Sequence, residues 1–367
     1  MKRKIAACSL MTFALLMTAC GGSGNSSAPA GTKAQSEAAQ AGESSGNTDT
    51  FEAGEALGAE NFNYIFGHGA AENSIGDLYC LKFKELVEAK SGGSITVDVY
   101  SGSQLGTYGE MLQSLQTGDI GGMIFQPAPA VSFVPELAVL DIPYAFLGCT
   151  QEQIDKALNE SDFTDILKQS FDGSGYKFMS FAQVATFREV TSNKPVNKAG
   201  DFAGLKIRTL ENNNHIAFWK AVGANPTPVA FGELYLSLQQ GLVDAQENPY
   251  DTALNAGFPE VQKYLIETHH ILYPNLFIVS KDLYESMPAE YQTVFDEAAA
   301  EAKEYAEQLM AESAATDRQK LIDAGMEEIV LPDSELEILA EKGAGVEELV
   351  REQIGSETVD AFLNALK

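Results

Sequence analysis

Two arginines of this sequence lie where they could bind a small anion. The 367-residue chain has a formal net charge of −28 and contains only five arginines, so each position is informative. Arg188 lies within the sequence ATFREVT and Arg208 within GLKIRTL, and both segments are rich in strand-forming residues. A guanidinium at a strand end needs an anionic partner, and its planar fork fits a carboxylate through two parallel hydrogen bonds. The partner is either a carboxylate ligand or an internal carboxylate, for instance Glu189 or Glu211.

Amide side chains follow two other predicted strands. Asn248 lies in the segment DAQENPY, residues 244–250, which is dense in hydrogen-bonding groups and follows a strand predicted from Val243. Gln126 has the equivalent place after the apolar run 120–125. Ligands of open α/β sheets bind at the carboxyl ends of the strands. We therefore expect both amides near a ligand, with an ordinary polar loop at 244–250 as the alternative.

The globular part of the sequence lacks the motifs of common enzyme classes. It contains no G-x-S-x-G, H-E-x-x-H or G-x-G-x-x-G pattern. Ser174 and Lys177 match S-x-x-K, but they fall in a glycine-rich turn. His269 and His270 are adjacent, so they cannot share a helical face as metal ligands. We therefore expect no catalytic residue, metal ligand or cofactor, and the acidic charge argues against nucleic acid as a partner.

The first 19 residues have the pattern of a secretory signal peptide. A basic start is followed by an apolar stretch, residues 5–16, that is too short for an ordinary membrane-spanning helix. Met17 to Cys20 resembles a bacterial lipobox, with methionine where leucine is usual, and a plain signal peptide with an incidental cysteine is the alternative. We expect Cys20 to carry the lipid anchor of an exported protein. Residues 20–60 are mainly small and polar and predict a flexible tether.

Hydrophobic periodicity predicts an α/β globule that begins near Asn61. Strand, helix and strand follow one another in the first half, which indicates a crossover unit with a parallel sheet, and the second half begins a new set. The predicted elements are a helix from Asn73 or Ser74 to about Gly92, a strand at 94–100, a helix at 108–116, strands at 120–125 and 206–208, helices at 213–222 and 231–239, and a strand from 243.

Two of these helices, one in each half of the chain, share a sequence pattern. YGEMLQSLQTG, residues 108–118, aligns with FGELYLSLQQG, residues 231–241, so that both turn glycines coincide in register. One interpretation is an accidental match of two amphipathic helices. The other is two lobes built from related units that face each other across a ligand cleft and close about a hinge. A further helix, from Pro288 to about Gly325, is long enough to brace both lobes.

Several motifs together resemble the TRAP transporter solute-binding proteins of the DctP type. They run in that family's order from about Asn61 to the C-terminus, and so many ordered matches are more specific than any single motif. The motifs are Ser103–Gly106, Val134–Leu137, Ile142–Tyr144, Phe187-Arg188, Thr191–Asn193, Gly204–Arg208, Val222–Pro228, Phe231–Tyr235, Leu238–Asp244 and Gln246–Pro249.

The resemblance implies a fold, a function and a set of partners. The fold is α/β and two-lobed, like a type II periplasmic binding protein. Each lobe is a mostly parallel sheet flanked by helices, strand crossovers form the hinge, and one long helix spans both lobes. The implied lobes are 61–185 plus 274–313 and 186–273 plus 314–367. The implied monomer captures a small carboxylate by lobe closure and delivers it to a small and a large membrane subunit.

The resemblance also assigns residues to the ligand site. In this family the arginine of the G-L-K-I-R motif binds the ligand carboxylate, which gives that role to Arg208. A second arginine, in the F-R motif, corresponds to Arg188, and the asparagine of Q-E-N-P corresponds to Asn248. By the same resemblance Phe231 lines the pocket, and Gln126 faces it from the other lobe.

Other polar residues near these motifs have roles that the sequence leaves open. Glu211 follows Arg208 by three residues, where a small or neutral polar residue is common in the family. It could pair with Arg208, accept hydrogen bonds from ligand hydroxyls or meet a ligand amine. The adjacent Asn212–Asn214 could contact hydroxyls or merely start a helix. Asn73, which like Ser74 could cap the first helix, completes the candidate ligand-binding residues.

The nature of the candidate residues favours one class of ligand. Beyond the carboxylate clamp they are mainly amides, which suit hydroxyl groups. A sugar acid such as a uronate or an aldonate is therefore favoured, and a C4-dicarboxylate or another carboxylate is the alternative. An exported hydrolase and an adhesin are the competing functional classes. Cys80 and Cys149 either form a disulfide or remain separate thiols, which their spacing does not decide.

Overall fold

The computed structural model describes residues 56–183, 187–272 and 274–367, all within one compact unit, Phe51–Lys367. The predicted signal peptide, Cys20 and nearly all of the predicted tether lie outside the described residues and stay predictions. Among the helices of the described ranges, none combines the length and apolar character needed to cross a membrane.

The strands of the described residues form two sheets, one for each lobe. In chain order the strands are β1 (Phe62–His68), β2 (Ile95–Tyr100), β3 (Gly122–Phe125), β4 (Tyr176–Gln183), β5 (Phe187–Ser192), β6 (Lys206–Thr209), β7 (Asn225–Pro228), β8 (Ala245–Asn248), β9 (Tyr264–Leu272), β10 (Asn275–Ser280) and β11 (Glu327–Val330). The first sheet has the order β2-β1-β3-β10-β4, and the second has the order β11-β9-β5-β8-β6-β7.

Each sheet contains one strand that runs against all the others. In the first sheet β10 is antiparallel to both β3 and β4, whereas β1 is parallel to β2 and β3. In the second sheet β5 is antiparallel to β8 and β9, whereas the remaining neighbours are parallel. The mostly parallel sheets expected from the sequence are therefore confirmed.

The two reversed strands are also the ones that connect the lobes. Strand β5 enters the second sheet directly after β4 of the first, and β10 enters the first sheet directly after β9 of the second. These are the strand crossovers that a hinge between two lobes requires.

Helices cover the faces of both sheets. The α-helices are α1 (Ile75–Lys90), α2 (Tyr108–Thr117), α3 (Gln151–Asn159), α4 (Asp162–Gly173), α5 (Asn213–Val222), α6 (Phe231–Gln239), α7 (Tyr250–Asn255), α8 (Lys281–Ser286), α9 (Ala289–Asp323), α10 (Asp333–Gly343), α11 (Gly345–Ile354) and α12 (Ser356–Ala365). Short 3-10 helices lie at Ala128–Ala130, Pro135–Asp141, Ala199–Phe202 and Phe258–Glu260.

Local signals in the sequence set the ends of several helices. The Ser74 side chain caps α1, and Thr107 and Glu110 form a reciprocal capping box at the start of α2. The two helices with matching sequence, α2 and α6, are followed by Gly118 and Gly241 with φ of +78° and +70°, a conformation that favours glycine.

The long helix α9 contacts elements of both lobes, as expected. On the side of the first sheet, the Tyr79 hydroxyl of α1 donates to the Ala299 carbonyl at 3.2 Å. On the side of the second sheet, Arg318 pairs with Glu267 of β9 at 2.6 Å and with Glu328 of β11 at 2.5 Å. The helix therefore braces the two sheets against each other.

Aromatic side chains fill the core between the first sheet and helices α1 and α9. Phe83 packs 4.8 Å from Phe295 and 5.1 Å from Phe277, measured between ring centroids. A larger apolar cluster joins residues of both sheets with the C-terminal helices, where Phe362 of α12 lies 5.2 Å from Phe163 of α4. This contact joins α12, which the predicted ranges place in the second lobe, to α4, which they place in the first. The exact lobe ranges therefore stay a prediction. Cys80 and Cys149 are free thiols.

A buried carboxylate anchors the start of α5 to the 3-10 helix Pro135–Asp141. Asp141, fully buried, accepts hydrogen bonds from Asn212 at 2.8 Å, Asn214 at 3.0 Å and His215 at 3.1 Å. Asn212 also caps α5, because its side-chain oxygen accepts from the backbone amides of Asn214 and His215. Of the two roles open for Asn212, the structure supports the helix start.

We expect Asn212→Ala to lower the free energy of unfolding by about 2–4 kcal/mol, because it removes the helix cap and one donor to a buried carboxylate. Chemical denaturation of the ligand-free protein measures this loss. Asn213→Ala is the matched control: Asn213 is exposed, and its replacement should change stability by less than about 0.5 kcal/mol. Equal losses in the two variants would contradict the anchoring role.

Candidate functional site

The first turns of α2 and α6 face one cavity of about 270 Å³. Both helix starts belong to the segments that match in sequence, so these two segments line one cavity, as the interpretation with a ligand cleft expects. The walls come from elements of both lobes, and the lining residues are Ser103, Gly106, Thr107, Tyr108, Glu110, Pro129, Arg208, Leu210, Glu211, Val229, Ala230, Phe231, Gly232 and Glu233.

Arg208 of β6 is buried in the wall of this cavity without a carboxylate partner. Its side chain is 1% exposed, and its Nε donates to the Val229 carbonyl at 2.8 Å. Its Nη1 has no hydrogen-bond partner among the described residues, and none of their carboxylates lies within 4.0 Å of the guanidinium. Burial lowers the pKa of Arg208 to about 10, so the group stays cationic at neutral pH.

Arg188 of β5 is equally buried, but it is held by protein groups. Its guanidinium forms an ion pair with Glu247, in which Nε and Nη2 both donate to the carboxylate. It also donates to the Gln126 amide oxygen at 2.8 Å and to the Asn248 amide oxygen at 3.0 Å. The internal carboxylate is thus Glu247, not Glu189 or Glu211. Three predicted site residues, Arg188, Gln126 and Asn248, meet in one network.

Glu247 is the centre of this network, and sequence reasoning did not single it out. Burial alone would raise the pKa of the Glu247 carboxyl. The positive charge of Arg188 and a hydrogen bond from His270 at 3.3 Å lower it by more, so the pKa of Glu247 lies well below its usual range. His270 is itself fixed by the Thr268 hydroxyl at 2.9 Å and stacks on Phe218. No local sequence signal points to Glu247, because its contact with Arg188 depends on the antiparallel pairing of β5 and β8.

A smaller inner compartment of about 30 Å³ adjoins the main cavity. It shares Tyr108, Leu210 and Phe231 with the main cavity, and its remaining wall combines polar and apolar residues. The polar lining residues are Ser74, Gln126, Asn248, Asp251, Thr252 and Asn275. Burial raises the pKa of Asp251 to about 6, and the nearby Asp317 carboxylate adds to the effect.

Two aromatic residues line both compartments. Phe231, the first residue of α6, was expected in the pocket and lines both compartments. Tyr108, the first residue of α2, lines both as well and was not predicted. Its ring lies so close to Gly69 that a Cβ there would come within 2.6 Å of it. The alignment of the two helices pairs Tyr108 with Phe231 and could have identified it.

Other predicted residues take different positions. Glu211 is exposed and lines the main cavity, where no described group forms an ion pair or hydrogen bond with its carboxylate. Asn73 is exposed in the turn before α1, and its backbone amide donates to Asp77 at 2.8 Å. Asn73 lines neither compartment of the cleft.

The residues weighed for enzyme chemistry have structural partners. The Ser174 hydroxyl donates to the Ser170 carbonyl at 2.9 Å. His269 lies at φ of +45° and binds the buried Glu189 carboxylate, and this hydrogen bond raises the pKa of His269. Within the described ranges, no group of three or more His, Cys, Asp or Glu side chains could hold a metal ion.

Residues 66–353 match the family described as bacterial extracellular solute-binding protein, family 7, also called DctP. The chain belongs to this family. The membership agrees with the two sheets, the crossovers and the cleft described above. DctP-family proteins are extracytoplasmic binding proteins, so the family is one of receptors rather than enzymes.

Relatives and solved structures carry the same fold with different ligands. The 2,3-diketo-L-gulonate-binding periplasmic protein YiaO of Escherichia coli is 32% identical over 72% of this chain and 78% of its own. The C4-dicarboxylate-binding periplasmic protein DctP of Rhodobacter capsulatus is 30% identical over 83% and 90%. The crystal structure of the sugar acid binding protein DctPAm from Advenella mimigardefordensis, in complex with galactonate, has a TM-score of 0.78 and 26% identity, covering 84% of this chain and 98% of its own.

The two buried arginines of this DctP-family protein should differ in their effect on stability. We expect Arg188→Met to lower the free energy of unfolding by about 3–5 kcal/mol, because it leaves Glu247 buried without its counter-charge. Arg208→Met should leave the stability of the ligand-free protein unchanged or raise it, since it removes a desolvated charge that has no carboxylate partner.

Chemical denaturation of the two variants without ligand measures this contrast. Each variant serves as the control for the other, because both replace a fully buried arginine on a strand of the second sheet. A similar large loss in both would contradict the assignment of Arg208 as the unpaired cation.

Proposed function

We propose that this protein is the extracytoplasmic solute-binding component of a TRAP-type secondary transporter. It captures a small organic acid through Arg208, encloses it by closure of the lobes and delivers it to the small and large membrane subunits. It acts without catalysis. The observation that carries the proposal is the buried guanidinium of Arg208, which lines the cleft and whose Nη1 has no hydrogen-bond partner among the described residues.

The electrostatics of the cleft favour an anion at this point. The chain as a whole carries a formal charge of −28, so its overall field repels anionic ligands. A buried cation without a carboxylate partner reverses that preference locally, and a ligand carboxylate would supply the missing bidentate partner. Such charge-assisted hydrogen bonds, together with enclosed polar contacts, are sufficient for micromolar affinity, which corresponds to about −8 kcal/mol.

The arrangement of the walls is suited to capture by closure. Tyr108 and Phe231 come from opposite lobes, and both line the two compartments. Gln126 follows β3 of the first sheet and accepts from Arg188 of the second, so the polar network also joins the lobes. Rotation about the crossover strands would open this cleft to solvent and release the ligand.

A sugar acid, such as a uronate or an aldonate, is our favoured ligand. The amide and hydroxyl groups of Gln126, Asn248, Thr252 and Asn275 lie in the inner compartment, and groups of this kind bind ligand hydroxyls. One similar protein is named for binding 2,3-diketo-L-gulonate, and a similar solved structure is a sugar acid binding protein in complex with galactonate. A C4-dicarboxylate is the alternative, since another similar protein binds that class.

Arg208→Lys should abolish most of the thermal stabilisation that a bound carboxylate gives, because lysine cannot present the planar fork. The measurement is a thermal-shift screen of the soluble globule against aldonates, uronates, C4-dicarboxylates, sialic acid and amino acids, followed by titration calorimetry of each hit. Lys206→Ala is the matched control, since Lys206 is an exposed cation on the same strand and its loss should leave binding unchanged.

Undiminished binding in Arg208→Lys would overturn the assignment of the clamp. Turnover of a panel of esters and glycosides would favour an exported hydrolase instead. Stable capture of a macromolecule without any small-ligand stabilisation would favour an adhesin.

We also propose that Cys20 carries the lipid anchor that holds the protein on the extracytoplasmic face of the cell membrane, as a monomer. Cys20→Ser should move the protein from the membrane fraction to the soluble extracytoplasmic fraction, because acyl chains supply the anchoring. Fractionation of cells that express each variant measures the shift. Cys149→Ser should remain with the membrane, and full retention of Cys20→Ser there would contradict lipidation.

A further inference from the structure

Four carboxylate side chains line the two compartments of the cleft. Glu110 of α2, Glu233 of α6 and Glu211 after β6 line the main cavity. Asp251, in the first turn of α7, lines the inner compartment. Glu110 is partly satisfied, because its Oε2 accepts from the Thr107 amide at 2.7 Å and the Thr107 hydroxyl at 2.9 Å. Among the described residues no cation is within 4.0 Å of the Glu211 or Asp251 carboxylate.

Positive charge in the cleft is confined to one place. Among the residues that line either compartment, Arg208 is the one lysine, arginine or histidine of the described chain. Arg188 lies behind the lining, and its charge is balanced by Glu247. A single ligand carboxylate is therefore matched by a cation, whereas a second carboxylate on the same ligand would meet only carboxylates and neutral groups.

We propose that the cleft selects monocarboxylates with an uncharged, hydroxylated far end and rejects dicarboxylates, with Glu211 and Asp251 as the specificity-determining residues. This proposal rests on the proposed function and names its substrate class as aldonate-type sugar acids. Glu211 borders the carboxylate clamp at the main cavity, and Asp251 faces whatever enters the inner compartment.

The size and lining of the inner compartment fit the end of a polyol. A space of about 15 Å³ holds one water-sized group, so a volume of about 30 Å³ takes about two such groups. Asp251 can accept hydrogen bonds from hydroxyls there, and Thr252 and Asn275 can donate to them. A hydroxymethyl end gains these bonds, whereas a carboxylate end loses its hydration beside Asp251 without gaining a counter-charge.

The test compares ligands that share a carbon skeleton and differ at one end. Gluconate and glucarate, galactonate and galactarate, and erythronate and meso-tartrate are titrated against the protein by calorimetry at pH 7.5, with succinate as an unsubstituted C4-dicarboxylate. We expect at least one aldonate to bind and its dicarboxylate partner to bind at least about tenfold more weakly, as expected for a like charge in a poorly screened site.

Substitutions at Glu211 and Asp251 test whether these two residues determine the selectivity between aldonates and dicarboxylates. Glu211→Gln and Asp251→Asn should each lower the ratio of the dicarboxylate Kd to the aldonate Kd by about fivefold, because each removes one repelling charge. Glu348→Gln on α11 and Asp282→Asn are matched controls that should change this ratio by less than about twofold. Glu348 is exposed and lines neither compartment. Asp282 is also exposed and lines neither compartment, and it is the second residue of the short helix α8, the position that Asp251 has in α7.

The outcomes separate this inference from the proposed function. A dicarboxylate that binds as tightly as its aldonate partner, or unchanged ratios in both variants, overturns the charge selection. Binding of another carboxylate class through Arg208, with no aldonate bound, overturns the inference and leaves the carboxylate receptor standing. Failure of every carboxylate in the screen overturns both.

Discussion

Glu247 lies between two buried arginines and forms an ion pair with one of them. Its carboxylate accepts hydrogen bonds from Nε and Nη2 of Arg188 and from Nε2 of His270. A second buried cation, Arg208, is close enough for the Glu247 charge to act on its pKa but too far for an ion pair. Two cations share one internal anion, so the cleft is left with an unsatisfied positive charge. The preference for an anionic ligand follows from that imbalance.

The neighbouring strands keep this imbalance in place. Arg188 and Glu247 lie on β5 and β8, which pair antiparallel, and Arg208 lies on β6 beside β8. A ladder of backbone hydrogen bonds therefore fixes the spacing of all three charged groups. The free-energy cost of burying Arg208 in the ligand-free protein is offset by the stability of the rest of the fold.

Much of the fold followed from local patterns in the sequence. The bounds of α5 and α6 agree with prediction, because local signals mark them: the Asn212 side chain caps the start of α5, and the glycines Gly223 and Gly241 follow the two helices. The strand predicted from Val243 begins at Ala245, because the preceding residues form the turn after α6. The site was harder to predict. Arg188 was expected to face the ligand, but its partner Glu247 is 59 residues away in sequence, and only the antiparallel pairing brings them together. Asp251 could not be singled out for the same reason, because its place depends on how α7 packs.

The exchange of strands between the sheets affects how the chain can be divided. Strand β10 lies in the interior of the first sheet, between β3 and β4. In the sequence, however, it follows every strand of the second sheet except β11. A cut between β4 and β5 would leave an amino-terminal fragment in which β4 has no neighbour in its sheet. The first lobe therefore cannot complete its sheet until the ribosome has passed residue 280. Neither sheet can therefore be completed by one continuous stretch of the chain, because each lobe depends on a strand that follows or precedes the other lobe's strands.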